Sequence, residues 1–192
     1  MRTIDLVRAR IRDIIWKSEV PEDPYHAENT LKWVKKFKDG DTALEIAALG
    51  HDIERAVKDR KVLRKELKDY HEFKKAHSIN SAKLMKEILE DYDIDESLSS
   101  EIVSLVSNHE FGSDYKSDIL KDADGISFFD INLPYYFQRH DVEEVKRRII
   151  WGYRRLSDRA KKEVDRMSFK NSKLNLIFSS SIETAKTSLK SG

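Results

Sequence analysis

Apolar residues along the chain recur at intervals of three and four positions, the spacing of one face of an α-helix. The first such series comprises Ile4, Val7, Ile11 and Ile14. No long stretch alternates apolar and polar residues with the period of two that a half-buried strand shows. The pattern therefore predicts an all-α fold, a helical bundle in which each helix turns one apolar face inward.

The start of the second helix is predicted from its prolines. Pro21 and Pro24 interrupt the first helix, and Asp23 before Pro24 is typical of an N-cap followed by proline at the first helical position. A second helix is predicted from there through Phe37, and Gly40 is predicted to end it. Its predicted buried face comprises Ala27, Thr30, Leu31, Val34 and Phe37.

The third helix is predicted to lie in the centre of the bundle. Thr42 and Glu45 fit a capping box that opens a helix running through Ile53. This helix is apolar nearly all round, which is typical of a helix buried on every side. It would carry His51 and Asp52 into the core, where an ionised side chain is costly unless a partner compensates its charge. A buried ion pair and a bound metal ion are the two explanations.

Further periodic series predict helices along the rest of the chain. They are Leu84, Ile88 and Tyr92; Leu98, Ile102, Leu105 and His109; Ile119, Ala123 and Ile126; Val142, Val145, Ile149, Tyr153 and Leu156; and Leu174, Phe178, Ile182, Ala185 and Leu189. Residues 57–75 are instead dominated by lysine, arginine and glutamate, and predict either an amphipathic helix or a flap. A chain of 192 residues has the usual size of one domain.

Composition restricts the chemistry and the partners of the chain. Thirty-six basic and thirty-five acidic residues give a formal net charge of +1, so no global field draws the protein to nucleic acid or to an anionic membrane. Cysteine is absent, which excludes thiolate ligands and a thiol nucleophile. Residues 1–20 carry arginine and aspartate among their apolar positions, unlike a secretory signal or a membrane span. We therefore expect a soluble cytoplasmic protein that binds neither membrane nor nucleic acid.

A basic segment and an aromatic segment are both interpreted as structural features. Arginines and lysines from Arg139 to Lys162 are interspersed with Glu143, Glu144 and Asp158, which predicts a helix surface with ion pairs rather than an RNA-binding face. The aromatic residues 135–137 are read as core or pocket wall, with stacking on a nucleobase as the alternative.

Side chains that bind divalent cations are concentrated at four places: His26; His51 with Asp52; His77; and His109 with Asp122 and Asp124. Imidazole and carboxylate ligands together suit Mn, Fe, Co, Ni, Zn or Mg. Neighbouring residues on a helix diverge by about 100°, so His51 and Asp52 reach one cation only when it lies between their two directions. The other ligands would then come from separate helices, from His26 and from an aspartate after Leu120.

The chain carries, in order, a His, a His-Asp pair and a distant Asp on separate helices. This order resembles the signature of the HD superfamily of metal-dependent phosphohydrolases. The resemblance spans roughly residues 20–140. It extends to a bacterial-type subgroup through His77, Ser81-Ala82, Ile88-Leu89, His109 and Lys121-Asp122-Ala123-Asp124. It implies one HD-type helical domain with its core over about 20–140 and with the helices of residues 141–192 packed on that core.

The resemblance also implies a set of metal ligands. His26, His51 and Asp52 match the first three ligands of the family. Asp124 matches the fourth, with Asp122 as the alternative.

Further residues take roles around these ligands. His77 and His109 resemble histidines that take part in members with a second metal or a bound phosphate. Arg55 looks like a phosphate-facing residue, and Lys121 is a weaker choice for that role. Glu54, or whichever of the aspartates at 122 and 124 does not bind metal, is expected to act as general acid or base. Each histidine taken alone would fit a hydrogen-bonded core residue equally well.

The function implied is metal-dependent hydrolysis of a phosphate ester or anhydride, with a nucleotide as the preferred substrate class. The chain lacks the Gly-Tyr-Pro element of the cyclic-dinucleotide phosphodiesterases. Glu54 lies closer to the His-Asp pair than the acidic residues of the alarmone hydrolases do, so both of those substrates are disfavoured. The alternatives are an HD-fold sensor that binds metal and nucleotide without turnover, and a helical interaction protein with a vestigial site.

Overall fold

The computed structural model describes residues 3–188, which contain ten α-helices and no strand, so the all-α prediction is confirmed. The helices are α1 Thr3–Ile15, α2 Asp23–Phe37, α3 Thr42–Gly50, α4 Tyr70–Asp91, α5 Glu96–Asn108, α6 Tyr115–Ser127, α7 Leu133–Arg139, α8 Val142–Arg154, α9 Asp158–Val164 and α10 Ser172–Ser188. Leu189, which was expected to continue the last helix, lies outside the described residues. Over residues 3–188, none of these helices combines the length and the apolarity that crossing a membrane requires.

The chain divides into two compact units, one up to Asp124 and one from Gly125 onward. In the first unit, α2 packs against α3, α3 against α5, and α5 against α4, while α1 contacts α2 and α3. In the second unit, α10 packs against α8. The single-domain organisation expected from the sequence stays a prediction.

The centre of the first unit is α3, because its side chains are apolar on nearly every face. Residues 43–50 are all buried, as the sequence predicts. The helix nevertheless ends at Gly50, and the prediction that it continues through Ile53 is wrong. His51 occupies the C-cap, Asp52 leaves the helical region at φ −106° and ψ 15°, and Ile53–Ala56 forms a 3₁₀ turn. His51 keeps helical backbone angles of φ −58° and ψ −35°, so the departure from helical geometry begins at Asp52.

The N-caps of α2 and α3 each lie one residue before the predicted position. Asp23 is the first residue of α2 rather than its cap. Asp41, rather than Thr42, caps α3, because its carboxylate accepts a hydrogen bond from the Leu44 amide at 3.1 Å. Glu45 does not complete a capping box; instead it accepts from the Arg8 guanidinium at 2.7 Å.

Residues 57–75 contain neither a single amphipathic helix nor one uniform loop. Two short 3₁₀ turns, Lys58–Arg60 and Arg64–Glu66, come first. The α-helix begins only at Tyr70, where the Asp69 carboxylate accepts from the Glu72 amide at 2.8 Å. Few apolar side chains precede this cap, so the earlier residues have little surface to bury in a longer helix.

In the second unit, a π-helical segment, Phe128–Asn132, lies between α6 and α7. The Tyr136 hydroxyl donates to Glu144 at 2.8 Å, and the Tyr136 ring stacks on His140 with centroids 3.9 Å apart. Glu144 also pairs with Arg147 at 2.7 Å, as expected for a helix surface with ion pairs. These contacts give the aromatic side chain at 136 a structural role.

Replacing Asp41 with alanine tests the position of the α3 cap. We expect Asp41→Ala to lower the free energy of unfolding by about 1 kcal/mol, because the Leu44 amide loses its acceptor and Lys116 loses its ion pair at 2.6 Å. Thr42→Ala, one residue later, is the matched control and should change stability by only a few tenths of that amount. Urea unfolding of both variants measures the difference, and a larger loss in Thr42→Ala would contradict this cap assignment.

Candidate metal centre

Imidazoles and carboxylates from several elements of the first unit meet in its interior. They are His26 on α2, His51 and Asp52 after α3, His77 on α4, His109 and Glu110 after α5, and Asp124 on α6. All four histidines and Glu110 are buried, and the two aspartates are mostly buried. The structure thus brings together the side chains of the four predicted metal ligands, and both of the further histidines.

His26, His51 and Asp124 form the first group of ligand atoms. His26 Nε2 lies 3.2 Å from His51 Nε2 and 3.1 Å from Asp124 Oδ1, and His51 Nε2 lies 3.6 Å from the same oxygen. Ligand atoms about 2.1 Å from a tetrahedral cation are about 3.4 Å from one another. The three separations therefore fit a common cation.

Asp52, His77 and His109 form a second group. Asp52 Oδ1 lies 2.7 Å from His77 Nε2 and 3.7 Å from His109 Nε2. The same carboxylate also faces the first group, since Oδ2 lies 3.9 Å from His26 Nε2 and Oδ1 lies 3.8 Å from His51 Nε2. Asp52 is therefore shared between the two groups.

Backbone carbonyls at two helix ends orient two of the rings. His51 Nδ1 donates to the Ala48 carbonyl at 2.9 Å, and His109 Nδ1 donates to the Val106 carbonyl at 2.7 Å. Because a carbonyl can only accept, Nδ1 carries a hydrogen in both rings, and Nε2 points into the cluster. Within residues 3–188, the buried His109 Nε2 has no hydrogen-bond partner. A buried nitrogen in this state fits a metal ligand.

Glu54 lies behind His77. Its buried carboxylate accepts from His77 Nδ1 at 2.6 Å and from the Val62 amide at 2.7 Å. A carboxylate on the far nitrogen of a histidine is the usual support of a metal-ligating imidazole. The geometry gives Glu54 a positioning contact, while its role as general acid or base stays a prediction.

Arg55 lies at the edge of the cluster and contacts two carboxylates. Its guanidinium pairs with Asp52 Oδ2 at 3.1 Å and with Asp23 Oδ1 at 2.9 Å, and its side chain is 31% exposed. Burial raises the pKa of Asp23, an effect that Arg55 partly offsets. Sequence reasoning treated Asp23 only as a cap, although it precedes His26 by one helical turn.

The structure distinguishes Asp124 from Asp122, the alternative ligand, and from Lys121, the weaker choice of phosphate-binding residue. Asp122 is buried but belongs to none of the groups of converging ligand atoms found in the described residues. Lys121 pairs with Asp118 at 2.9 Å and contacts the Phe111 carbonyl at 3.4 Å. Of the two aspartates, Asp124 is the one that faces His26 and His51.

Glu110 is a site residue that sequence reasoning missed. It is 1% exposed, pairs with the Lys74 ammonium, and has Oε1 3.6 Å from His109 Nε2. With His109 and Asp124 it makes a third group of ligand atoms within 4.8 Å of one another. Although burial acts against it, the charges of Lys74 and His109 hold the pKa of Glu110 below its usual range. Its position directly after His109 was the available signal.

In the cluster, the attraction of opposite charges affects the pKa values more than burial does. Burial disfavours the charged form of His51, but Asp52 and Asp124 raise its pKa to about 9. Burial likewise disfavours charged His77, whose pKa Asp52 and Glu54 raise to about 9. Against the effect of burial, the neighbouring histidines hold the pKa values of Asp52 and Asp124 well below the usual range. At neutral pH, His51 and His77 of the metal-free cluster are thus imidazolium ions that face the carboxylates of Asp52 and Asp124.

Comparison with known proteins matches the chain to a family model. A family model described as "Domain of unknown function (DUF4202)" matches residues 9–177, which is most of the chain, and the chain therefore belongs to that family. Searches of curated proteins and of solved structures find no match.

Substitutions in the cluster should change metal binding. We expect His51→Ala to abolish stoichiometric binding of a divalent cation, and Glu54→Gln to weaken it ten- to a hundredfold by loosening the His77 ring. His140→Ala removes an exposed histidine of the second unit and is the control. Elemental analysis and titration calorimetry measure the effect, and undiminished metal content in His51→Ala would exclude the assignment.

The metal-free protein should lose stability as the pH rises from 6.5 to about 9. A histidine with a raised pKa stabilises the fold fully below its unfolded-state pKa of about 6.5, and this contribution disappears as the pH passes the folded pKa of about 9 for His51 and His77. Thermal unfolding with a chelator at several pH values tests this.

A bound cation should remove that fall, because it takes the place of the protons on Nε2. A midpoint that stays constant with pH in the chelated protein would contradict the charge network.

Proposed function

We propose that this member of the DUF4202 family is an HD-type metal-dependent phosphohydrolase that cleaves a phosphate ester or anhydride of a nucleotide. The observation that carries the proposal is the convergence of His26, His51, Asp52 and Asp124, the four residues that match the HD signature, from separate elements. His109 Nε2 also faces this cluster, 3.7 Å from Asp52 Oδ1 and 3.6 Å from Glu110 Oε1, and makes no hydrogen bond in the described part of the chain.

The donor set suits a cation of intermediate hardness. His26, His51 and Asp124 would hold it, with Asp52 beside them, and Mn, Fe, Co, Ni, Zn and Mg all accept such ligands. When bound, the cation polarises a phosphoryl oxygen and lowers the pKa of coordinated water. The second group, Asp52 with His77 and His109, would hold a further cation or a substrate phosphate.

Arg55 is the side chain that we assign to the phosphoryl group. Its guanidinium already lies beside Asp52, held on the other side by Asp23, and it is partly exposed. A planar guanidinium fixed by two carboxylates can present its remaining N–H groups to phosphate oxygens and stabilise the charge that develops on them. Asp52 therefore acts on both the metal centre and the phosphate-binding arginine.

His77 is placed to hold and release a proton. Its Nδ1 donates to Glu54 and its Nε2 faces Asp52 Oδ1 at 2.7 Å, so the metal-free ring carries hydrogens on both nitrogens. Glu54 keeps the Nδ1 hydrogen in place when Nε2 gives up its own. The pair thus provides a defined tautomer to a metal ion or a leaving group.

Aromatic rings beside the cluster support a nucleotide as the substrate class. Phe73 lies nearly parallel to the His77 ring, with centroids 6.0 Å apart. Phe111 follows Glu110 directly, is 42% exposed and contacts His71 at 4.7 Å between centroids. Phe73 is half-buried and Phe111 is exposed, and nucleobases stack on exposed aromatic rings with little dependence on sequence. A nucleobase could thus lie near a phosphate bound in the centre.

The test is a panel of nucleotides and simple phosphoesters, each assayed with Mn, Mg, Co or Ni added to metal-free protein. We expect release of phosphate or pyrophosphate only with metal, and a loss of at least a hundredfold in Asp124→Asn. Arg55→Met should lower kcat as well as raise KM, because the phosphoryl group loses a contact that also stabilises its developing charge, whereas His140→Ala should behave as wild type.

Two outcomes would overturn the proposal. Binding of metal and nucleotide without product under any metal would indicate a sensor module instead of an enzyme. Absence of bound metal, with unchanged stability in His51→Ala, would leave the cluster as a vestigial site in an interaction protein.

A further inference from the structure

Lys74 lies one helical turn before His77 on α4, and its side chain points to the same cluster. Its ammonium pairs with the carboxylate of Glu110 and lies 5.7 Å from the centre of the Tyr70 ring. The Lys74 side chain is 14% exposed, whereas that of Glu110 is 1% exposed. The lysine therefore reaches from the rim of the site to a carboxylate in its interior.

Glu110 has a second set of neighbours on its other side. Its Oε1 lies 3.6 Å from His109 Nε2, and it shares with His109 and Asp124 a group of ligand atoms within 4.8 Å of one another. A carboxylate so placed can neutralise the lysine or bind a cation held by this group. Either partner reduces the attraction that remains for the other, because the two positive charges repel each other.

We propose that Lys74 is a phosphate-binding residue that Glu110 holds until the centre is loaded with metal. This inference rests on the proposed function and adds a substrate contact to it. A divalent cation drawn to Glu110 weakens the Lys74 ion pair and leaves the ammonium to donate to a phosphoryl oxygen at the same centre. Metal binding and phosphate binding are then coupled through one carboxylate.

Lys74 and Arg55 thus approach the cluster through different carboxylates. Arg55 contacts Asp52 and Asp23, and Lys74 contacts Glu110. A phosphate seated between them would receive hydrogen bonds from a planar guanidinium and from a flexible ammonium. Arg55 is tied to Asp52 and Lys74 is tied to Glu110, so a cation at the group of His109, Glu110 and Asp124 is expected to act on Lys74 directly.

The experiment measures binding of inorganic phosphate by titration calorimetry, with and without saturating metal. In the metal-loaded protein, we expect Lys74→Met to weaken phosphate binding by about tenfold or more, the usual cost of losing a hydrogen bond to a charged group. Lys74→Arg should keep most of the affinity. Lys75→Met removes the exposed neighbouring charge on the same helix and should leave the affinity unchanged.

Glu110→Gln separates this inference from a simple surface charge effect. With a chelator present, this variant should bind phosphate several times more tightly than wild type, because Lys74 no longer has its buried anion. Lys74→Met in the same chain should abolish that gain. The double variant also leaves no unpaired charge in the core, so it reports on phosphate binding even if Lys74→Met alone fails to fold.

The inference would be overturned if metal-loaded wild type and metal-loaded Lys74→Met bound phosphate equally well. It would also be overturned if Glu110→Gln and the double variant had equal phosphate affinity. A wild type that binds metal but no phosphate would overturn it as well. The expected affinities in a protein without turnover would support the role of Lys74 and refute the enzymatic proposal alone.

Discussion

Charged side chains buried in an apolar interior need partners, and this constraint organises the first unit of the chain. Asp52 and Asp124 are mostly buried carboxylates; Asp124 faces the imidazoles of His26 and His51, and Asp52 pairs with His77 and Arg55. Removing one member would leave the others desolvated without compensation, which costs more than the pair contributes. The packing of α2 and α5 against the apolar helix α3 is therefore tied to a polar network that a cation could complete.

Helix ends, more than helix faces, deliver the functional groups. His51 and His109 stand where α3 and α5 stop, and each ring donates to a carbonyl in the last turn of its helix. Glu110 follows from the same position, and Asp52 leaves its helix by a change in backbone angles. Short helices that end inside the core thus give the cluster more directions of approach than continuous helices would.

The sequence predicted which side chains meet in the cluster better than it predicted where the neighbouring helices begin and end. Helical periodicity gave the all-α fold, and the spaced pattern of His26, His51 with Asp52, and Asp124 picked out residues that meet in three dimensions. Periodicity could not reveal that α3 ends at Gly50, because Ile53 continues the helical spacing of Ile46 and Leu49. The contact of Glu110 with Lys74 joins residues 36 positions apart, and pairings at that distance leave no local pattern. Caps were misplaced by one residue because several polar residues precede each helix.

The hydrogen bonds of His51 and His109 to backbone carbonyls bear on the proposed binding of a metal ion. Each ring uses Nδ1 to close its helix and Nε2 to face the cluster, so exchanging a proton for a metal ion at Nε2 leaves the closing hydrogen bond intact. The backbone at these positions need not refold between the empty and the filled state. These side chains are already ordered in the folded chain, so the proposed binding of a cation would require little further ordering of its ligands.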